Sequence, residues 1–287
     1  MLIKKAHNLK IFIKISVIIT LLMASAGILT YSIYQMNDLD KQISSLHAQI
    51  ALKSIDSAAI VRKKMPVYIN LPGAKPVKAL VSDYNSNDNI WKIVSKTKSI
   101  DLKYEPTDLA IPSVKSRTDK SDSERSVRTI IHQPLTDMFA AASSAGYQLM
   151  IGSGYRSSTL QATYFNSLAA SVGDTAANNS IARPGQSEHQ LGLAVDLATV
   201  SRQCYLDNCF GSTTDGQWLV NNSYKFGFIL RYPSGKESIT GYQYESWHFR
   251  YVGVELATAL YDSKLTLDEA WPYMEKALGT LHDNGAL

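Results

Sequence analysis

Ser187-Glu188-His189-Gln190-Leu191-Gly192-Leu193-Ala194-Val195-Asp196 is the stretch on which the reading of this chain turns. Alternate residues of a strand share a face. A strand over Leu193–Val200 therefore turns Leu193, Val195 and Leu197 toward a core, and Ala194, Asp196 and Ala198 the other way. An acid flanked by two alanines leaves room for something small and charged, and a metal ion fits that description. His189 lies on the preceding loop, and Gly192 permits the turn that folds it back over the same spot.

A second stretch, Glu245-Ser246-Trp247-His248-Phe249-Arg250-Tyr251, reads as another strand. His248 and Arg250 share one face, and Trp247, Phe249 and Tyr251 the other. Two histidines and a carboxylate (His189, His248, Asp196) suit catalytic zinc, with a fourth position left for water. Zinc lowers the pKa of that water to about 7. A nearby carboxylate that is not a ligand must then move its proton to the leaving group, and Glu245, at the strand mouth, is the best candidate. Arg156, in Gly154-Tyr155-Arg156-Ser157, follows a strand end at a glycine turn, where a guanidinium could clamp a carboxylate or steady an oxyanion. Ser187 is placed to add a hydrogen bond.

Each of these residues has a plainer reading. A lone His or Asp usually satisfies hydrogen bonds or the surface. Trp247 and Tyr251 read as core, Arg250 as a salt-bridge partner, Glu188 as a solvated neighbour, and Gln161 as packing within or capping its helix. The other four histidines fall in unpromising places: His7 before an apolar run, His47 in a stalk, His132 in a helix and His282 near the terminus. The pattern as a set is more specific than its members.

Composition bounds the rest. The formal charge of +4 comes from 29 basic and 25 acidic residues. Lys4, Lys5, Lys10 and Lys14 precede the first acid, Asp38, so everything beyond Lys14 is formally neutral. That argues against nucleic acid as a partner. Residues 11–34 form an almost wholly apolar run, long enough to cross a bilayer. The lysines before it and acids after it predict residues 1–10 in the cytoplasm and the remainder outside the membrane. Ala24-Ser25-Ala26 offers the alternative of a cleaved signal peptide and a secreted product. In an exported domain, Cys204 and Cys209 most simply form a local disulfide, with unbridged thiols as the alternative.

Residues 35–89 read as an extracellular stalk: a short amphipathic helix, then Pro66, Pro72, Gly73 and Pro76, then a polar turn at Asn85–Asn89. The folded domain is expected over 90–280. Its sequence predicts a loop at 116–126, then a helix over 126–145 with an apolar stripe of Ile130, Leu135, Met138, Phe139 and Ala142. Pro134 kinks that helix or marks its true start. A strand over 147–151 runs into a turn at Gly152–Gly154, and Ser157 or Ser158 caps a helix reaching Val172. A loop covers 173–185. A helix over 218–224, a strand over 247–252 and helices over 254–261 and 267–278 complete the domain. Helices and short strands mix without a βαβ rhythm, which makes the class α+β.

Ser187-x-His189-x-x-Gly192-x-Ala194-x-Asp196 followed by Glu245-x-Trp247-His248 resembles the VanY-type D-alanyl-D-alanine carboxypeptidases of the LAS metallopeptidase group. Ser153-Gly154-Tyr155-Arg156-Ser157, Gln161 and Gly227-Phe228-Ile229-Leu230-Arg231-Tyr232-Pro233 match the same pattern, over about residues 90–280. The resemblance implies one Zn2+ held by His189, Asp196 and His248, Glu245 as general base, and Arg156 as a substrate or transition-state contact. It carries Tyr155, Gln161 and Ser187 over as substrate contacts. It also implies a small antiparallel sheet with flanking helices, and as substrate the peptidoglycan stem peptide, cut to release its terminal D-alanine. An L,D-carboxypeptidase acting on tetrapeptide stems would share these motifs, and an endopeptidase cutting cross-links is a third enzymatic option. A non-catalytic wall-binding module would have lost a ligand or Glu245. Ser95-Lys96-Thr97-Lys98 satisfies Ser-x-x-Lys, but the companion motifs of the penicillin-binding serine enzymes are absent.

Overall fold

The computed structural model describes residues 2–64, 66–79 and 86–283. The chain divides into two units, Met1–Met65 and Pro66–Leu287. The first is a single helix, α1 (Leu2–Lys64), continuous through both the apolar run and the amphipathic segment expected after it. Within it Phe12–Ser54 is, among the described residues, the one stretch long and apolar enough to cross a membrane, by length and composition.

The second unit combines helices with small antiparallel sheets, and it begins earlier than the sequence suggests. Pro72 and Gly73 do not punctuate a stalk there. They turn a hairpin of β1 (Tyr68–Ile69) and β2 (Val77–Lys78), paired Ile69 to Val77. Ile69, Leu71, Val77 and Ala79 are buried with Trp91, Leu256, Ala257 and Leu260, so this part of the expected stalk belongs to the domain core. Asn85, at the head of the expected polar turn, lies outside the described residues.

Further on, β3 (Leu109–Ala110) pairs with β4 (Val127–Arg128). Between them, inside the expected loop, sits α2 (Asp122–Arg125), stabilised by reciprocal bonds between Ser121 and Glu124. The next helix starts late. Thr129–Ile131 is a 3-10 turn, and α3 (His132–Ser144) places Pro134 in its first turn, where no helical hydrogen bond is lost. Ile130 therefore leaves the expected stripe and is exposed, while Leu135, Met138 and Ala142 are buried.

The central sheet has the order β5-β6-β8-β7, all antiparallel. Its strands are β5 (Leu149–Ser153), β6 (Ala194–Thr199), β7 (Phe228–Leu230) and β8 (His248–Tyr251). After β5 come α4 (Ser158–Val172), capped by Ser157, and α5 (Asp174–Ser180), which occupies part of the expected 173–185 loop. Then follow α6 (Thr214–Asn222), α7 (Glu237–Thr240), α8 (Val254–Ser263) and α9 (Leu267–Asp283). Leu193, Val195, Leu197, Phe249 and Phe228 pack with Leu135 and Met138 in one core. Burying each such side chain is worth roughly 1.5–3 kcal/mol. That core fixes which face of the sheet carries the polar residues.

Candidate metal centre and catalytic cleft

The register of the two middle strands places the site. Asp196 on β6 pairs directly with His248 on β8, so their side chains emerge side by side on the face opposite Val195 and Phe249. His189 arrives from a 3-10 turn, Glu188–Leu191, which Gly192 ends in the left-handed conformation (φ 65°). Asp196 Oδ1 lies 3.3 Å from His189 Nε2 and 3.2 Å from His248 Nδ1. The three ligand atoms lie within 4.8 Å of one another, and all three residues are buried.

This donor set fits zinc. Tetrahedral ligands at 2.0–2.1 Å from the metal sit about 3.3 Å apart, close to the separations from Asp196. His189 Nδ1 donates to the Gly154 carbonyl at 2.6 Å, leaving Nε2 bare toward the centre. Burial, and then the Arg156 charge, lower the His189 pKa against the pull of Asp196 and keep the ring neutral, as a ligand must be. Burial would raise the Asp196 carboxyl, but the two histidines hold it far below its usual range.

His248 differs from His189. Burial disfavours its charge, yet the hydrogen bond to Asp196 and the nearby carboxylates of Glu188 and Glu245 push it up to about 9 in the metal-free chain. Glu245 Oε2 is 3.8 Å from His248 Nδ1. Burial pushes the Glu245 carboxyl up to about 7; the charges of Asp196 and Glu188 add to this, and those of His248 and Arg156 oppose it. A buried carboxyl titrating near neutrality suits a general base.

Arg156 reaches the same centre. Its Nη1 donates to Gln161 Oε1 and its Nη2 to Ser153 Oγ, both at 3.1 Å, with Nη2 also 3.8 Å from Asp196 Oδ2. Its Nε is buried without a partner. Gln161 is held in turn by donating to the Ala182 carbonyl at 2.6 Å. Arg156, Gln161, Ser187, His189, Asp196, Glu245 and His248 all line one cleft of about 250 Å³.

Tyr155 does not. It is absent from the cleft lining and is 1% exposed. Its amide donates to the Ser126 carbonyl at 2.7 Å, which anchors the turn. Glu188 also departs from expectation: far from solvated, it is 1% exposed. Its Oε1 accepts from Arg231 Nε at 2.8 Å and Arg250 Nη1 at 2.9 Å. Arg250 is thus the salt-bridge partner its plainer reading made it. Cys204 and Cys209 are joined in a disulfide. The loop they close presents Leu206 to the cleft.

Several cleft residues escaped the sequence reading. Tyr232 and Tyr242 wall it together, their rings 4.9 Å apart, with Tyr232 also 5.0 Å from the His248 ring. Tyr232 stands inside the 227–233 motif, a signal that gave it a place but no role. Trp247 packs against the core as expected and also lines the cleft. Nothing in the spacing marks Leu168, Ile181 or Leu206.

The VanY D-alanyl-D-alanine carboxypeptidase family matches residues 124–254, the segment that holds every cleft residue named above. YodJ of Bacillus subtilis (strain 168), which carries a carboxypeptidase name, is 43% identical over 189 residues, 66% of this chain and 68% of YodJ. The solved structure of the LdcB LD-carboxypeptidase is 39% identical with a TM-score of 0.63, covering 71% of this chain and 93% of LdcB. A vancomycin-resistance D,D-pentapeptidase VanY solved with Zn(II) is 32% identical with a TM-score of 0.52, covering 65% of this chain and 99% of that one. On the strength of the matched domain and relatives aligned over two thirds or more of their own length, the chain belongs to the VanY family of D-alanyl-D-alanine carboxypeptidases and is a hydrolase.

Proposed function

We propose that this chain removes the C-terminal D-alanine from peptidoglycan stem peptides, using one zinc ion held by His189, Asp196 and His248. The observation that carries the reading is the convergence of those donor atoms beside a buried carboxyl, Glu245, poised near neutrality. Zinc in this site would act as a Lewis acid and make water acidic enough to attack at neutral pH. Glu245 takes one proton from the attacking water and delivers it to the amine of the departing D-alanine. The water oxygen becomes bonded to the carbonyl carbon as the C–N bond breaks, so atoms and protons balance. Arg156, fixed by Gln161 and Ser153, offers its charge to the substrate carboxylate or to the carbonyl oxygen as it turns negative. Ser187 and Gln161 add hydrogen bonds to the bound peptide.

The long apolar α1 supports a membrane anchor, with the hydrolase domain outside the cell. The paired cysteines are in keeping with an oxidising compartment.

A second reading, L,D-carboxypeptidase activity on tetrapeptide stems, has its own support: LdcB resembles this chain more closely, in identity and TM-score, than the zinc-bound VanY structure does. Both readings are tested by D-alanine release from pentapeptide and tetrapeptide stems, with and without a zinc chelator, beside a Glu245→Ala variant. Release is expected to stop with chelator and in the variant, and to be indifferent to penicillin. The preferred stem decides between the readings. Release that survives chelation but yields to penicillin would sink the zinc mechanism.

A further inference from the structure

Five buried side-chain polar atoms lack a hydrogen-bond partner among the described residues, and two of them face each other: Glu188 Oε2 and His248 Nε2, 3.6 Å apart. Buried polar atoms are ordinarily paired, so this near-contact asks for a reason. Glu188 is not free to turn. Its Oε1 is taken up by two arginines that are themselves buried. Arg231 is tied on its far side to Asp268 at 2.5 Å, and Arg250 to the carbonyls of Ile90 and Lys92 at 2.9 and 2.8 Å. The free oxygen is therefore left aimed at the back of the His248 ring.

A neutral imidazole carries one proton, and the nitrogen facing a metal must be bare. In His248 the nitrogen toward Asp196 and Glu245 is Nδ1. The proton must then sit on Nε2, and the acceptor waiting there is Glu188. Hydrogen bonds of this kind are often long in the empty site and tighten in the working complex. We infer that Glu188 is a positioning residue that sets the His248 tautomer and ring orientation, so that Nδ1 is offered to the metal. The inference rests on the metal reading proposed above, and it separates Glu188 from a merely structural ion cluster.

The substitution Glu188→Gln makes the distinction sharp. Two arginine N–H groups require an oxygen at the Oε1 position. The amide must therefore turn its NH2 toward His248 Nε2, where it donates, forcing the ring proton onto Nδ1. Zinc affinity, measured on the full chain by chelator competition, is expected to fall about 10- to 100-fold, as when other outer partners of ligands are removed. Asp268→Asn strips a charge from the same cluster but leaves Oε2 in place, so its affinity should stay within about threefold of the unaltered chain. The ring itself gives a second readout. 15N-histidine NMR of the zinc-loaded unaltered chain should show His248 bound through Nδ1 with its proton on Nε2, the nitrogen that faces Glu188. His248 bound to zinc through Nε2 in the unaltered chain would overturn the inference even if the variant failed to fold. So would zinc binding by Glu188→Gln within about threefold of the unaltered chain. Failure of the unaltered chain to bind zinc would instead overturn the metal reading, and this inference with it.

Discussion

Replacing Gly154 with alanine should damage the metal centre without touching a ligand. The turn at Gly154 is pinned from both sides: its amide donates to the Glu124 carbonyl at 2.6 Å, and the next amide, Tyr155, to the Ser126 carbonyl at 2.7 Å. An added Cβ would fall on that Ser126 oxygen and lie 3.1 Å from both the Glu124 oxygen and Val127 Cγ1. Backbone oxygens already holding hydrogen bonds cannot step aside as a flexible side chain can, so the turn itself must move. Overpacking of this kind costs about 1–3 kcal/mol. Against a typical stability of about 5–15 kcal/mol the domain stays folded. For a domain of this size its Tm should fall by about 2–12 °C.

The functional loss should be larger than that destabilisation implies, because the Gly154 carbonyl is the acceptor for His189 Nδ1. Moving it releases the ring that must present Nε2 to the metal, and the loss of such a partner weakens metal binding about 10- to 100-fold. Thermal melting, chelator competition for zinc and D-alanine release measure the three consequences. Gly146→Ala is the control: Gly146 has φ 90°, so alanine is strained there, yet its Cβ meets nothing within 4 Å. It should lower Tm and leave zinc affinity alone. If Gly154→Ala lowers Tm but keeps zinc affinity and D-alanine release within about threefold, the carbonyl is not what holds His189.

Other outcomes follow from the site and its supports. Glu245→Gln should lower kcat by about 100- to 10,000-fold while zinc affinity is kept, since the role proposed for Glu245 is to move a proton and not to hold the metal; equal loss of zinc in that variant would make Glu245 a ligand. In the metal-free chain Glu245 should titrate near 7, and adding zinc should shift it downward, because a nearby cation favours the carboxylate. 13C NMR of the glutamate carboxyls reads both states, and an unmoved titration would place Glu245 away from the ion. Burial would raise Glu124, but bonds from Lys120, Tyr164 and Ser121 overcome this and hold it at about 2, below its usual 4.5. A depressed folded-state pKa stabilises above the unfolded value and is lost as pH falls through the folded one. Tm should therefore drop between pH 4.5 and 2 more steeply in the unaltered chain than in Glu124→Gln, as calorimetry across that range would show.

The site was readable where the information is local. Period-two alternation after Gly192 sends Leu193, Val195 and Leu197 inward and Asp196 to the other face, and the structure keeps that division. Where burial depends on distant partners, local reading failed. Glu188 looks solvated in sequence because the arginines that bury it lie 43 and 62 residues away. The β1–β2 hairpin looks like a linker because prolines and glycines punctuate tight turns and tethers alike. Its apolar residues find their partners on α8 and α9, far along the chain. Helix α2 spans four residues, too few for a periodic signal, although Ser121-x-x-Glu124 is a capping pattern that could have revealed it. Tyr155 was carried over with its motif, yet neighbours in a turn point in different directions, and Arg156 alone of the pair reaches the cleft.

The three proposed ligands are not held alike, and the difference shows where the site can fail. Asp196 and His248 are cross-strand partners at the centre of the sheet, so their separation persists as long as the sheet does. His189 depends on a short 3-10 turn, on one left-handed glycine and on two bonds to the neighbouring turn: Gly154 O to its ring, and its own carbonyl to the Arg156 amide at 3.2 Å. Glu188, on that same 3-10 turn, faces the back of His248. In the proposed site the turn therefore has two tasks from adjacent residues: it would supply one ligand and back another. Its own hold on the sheet runs through Arg250 of β8 and through Arg231, just beyond β7. Disturbance of this turn should thus unseat His189 and loosen His248 together, leaving Asp196 as the ligand least affected, whereas strain elsewhere in the sheet reaches the metal only after the core itself gives way.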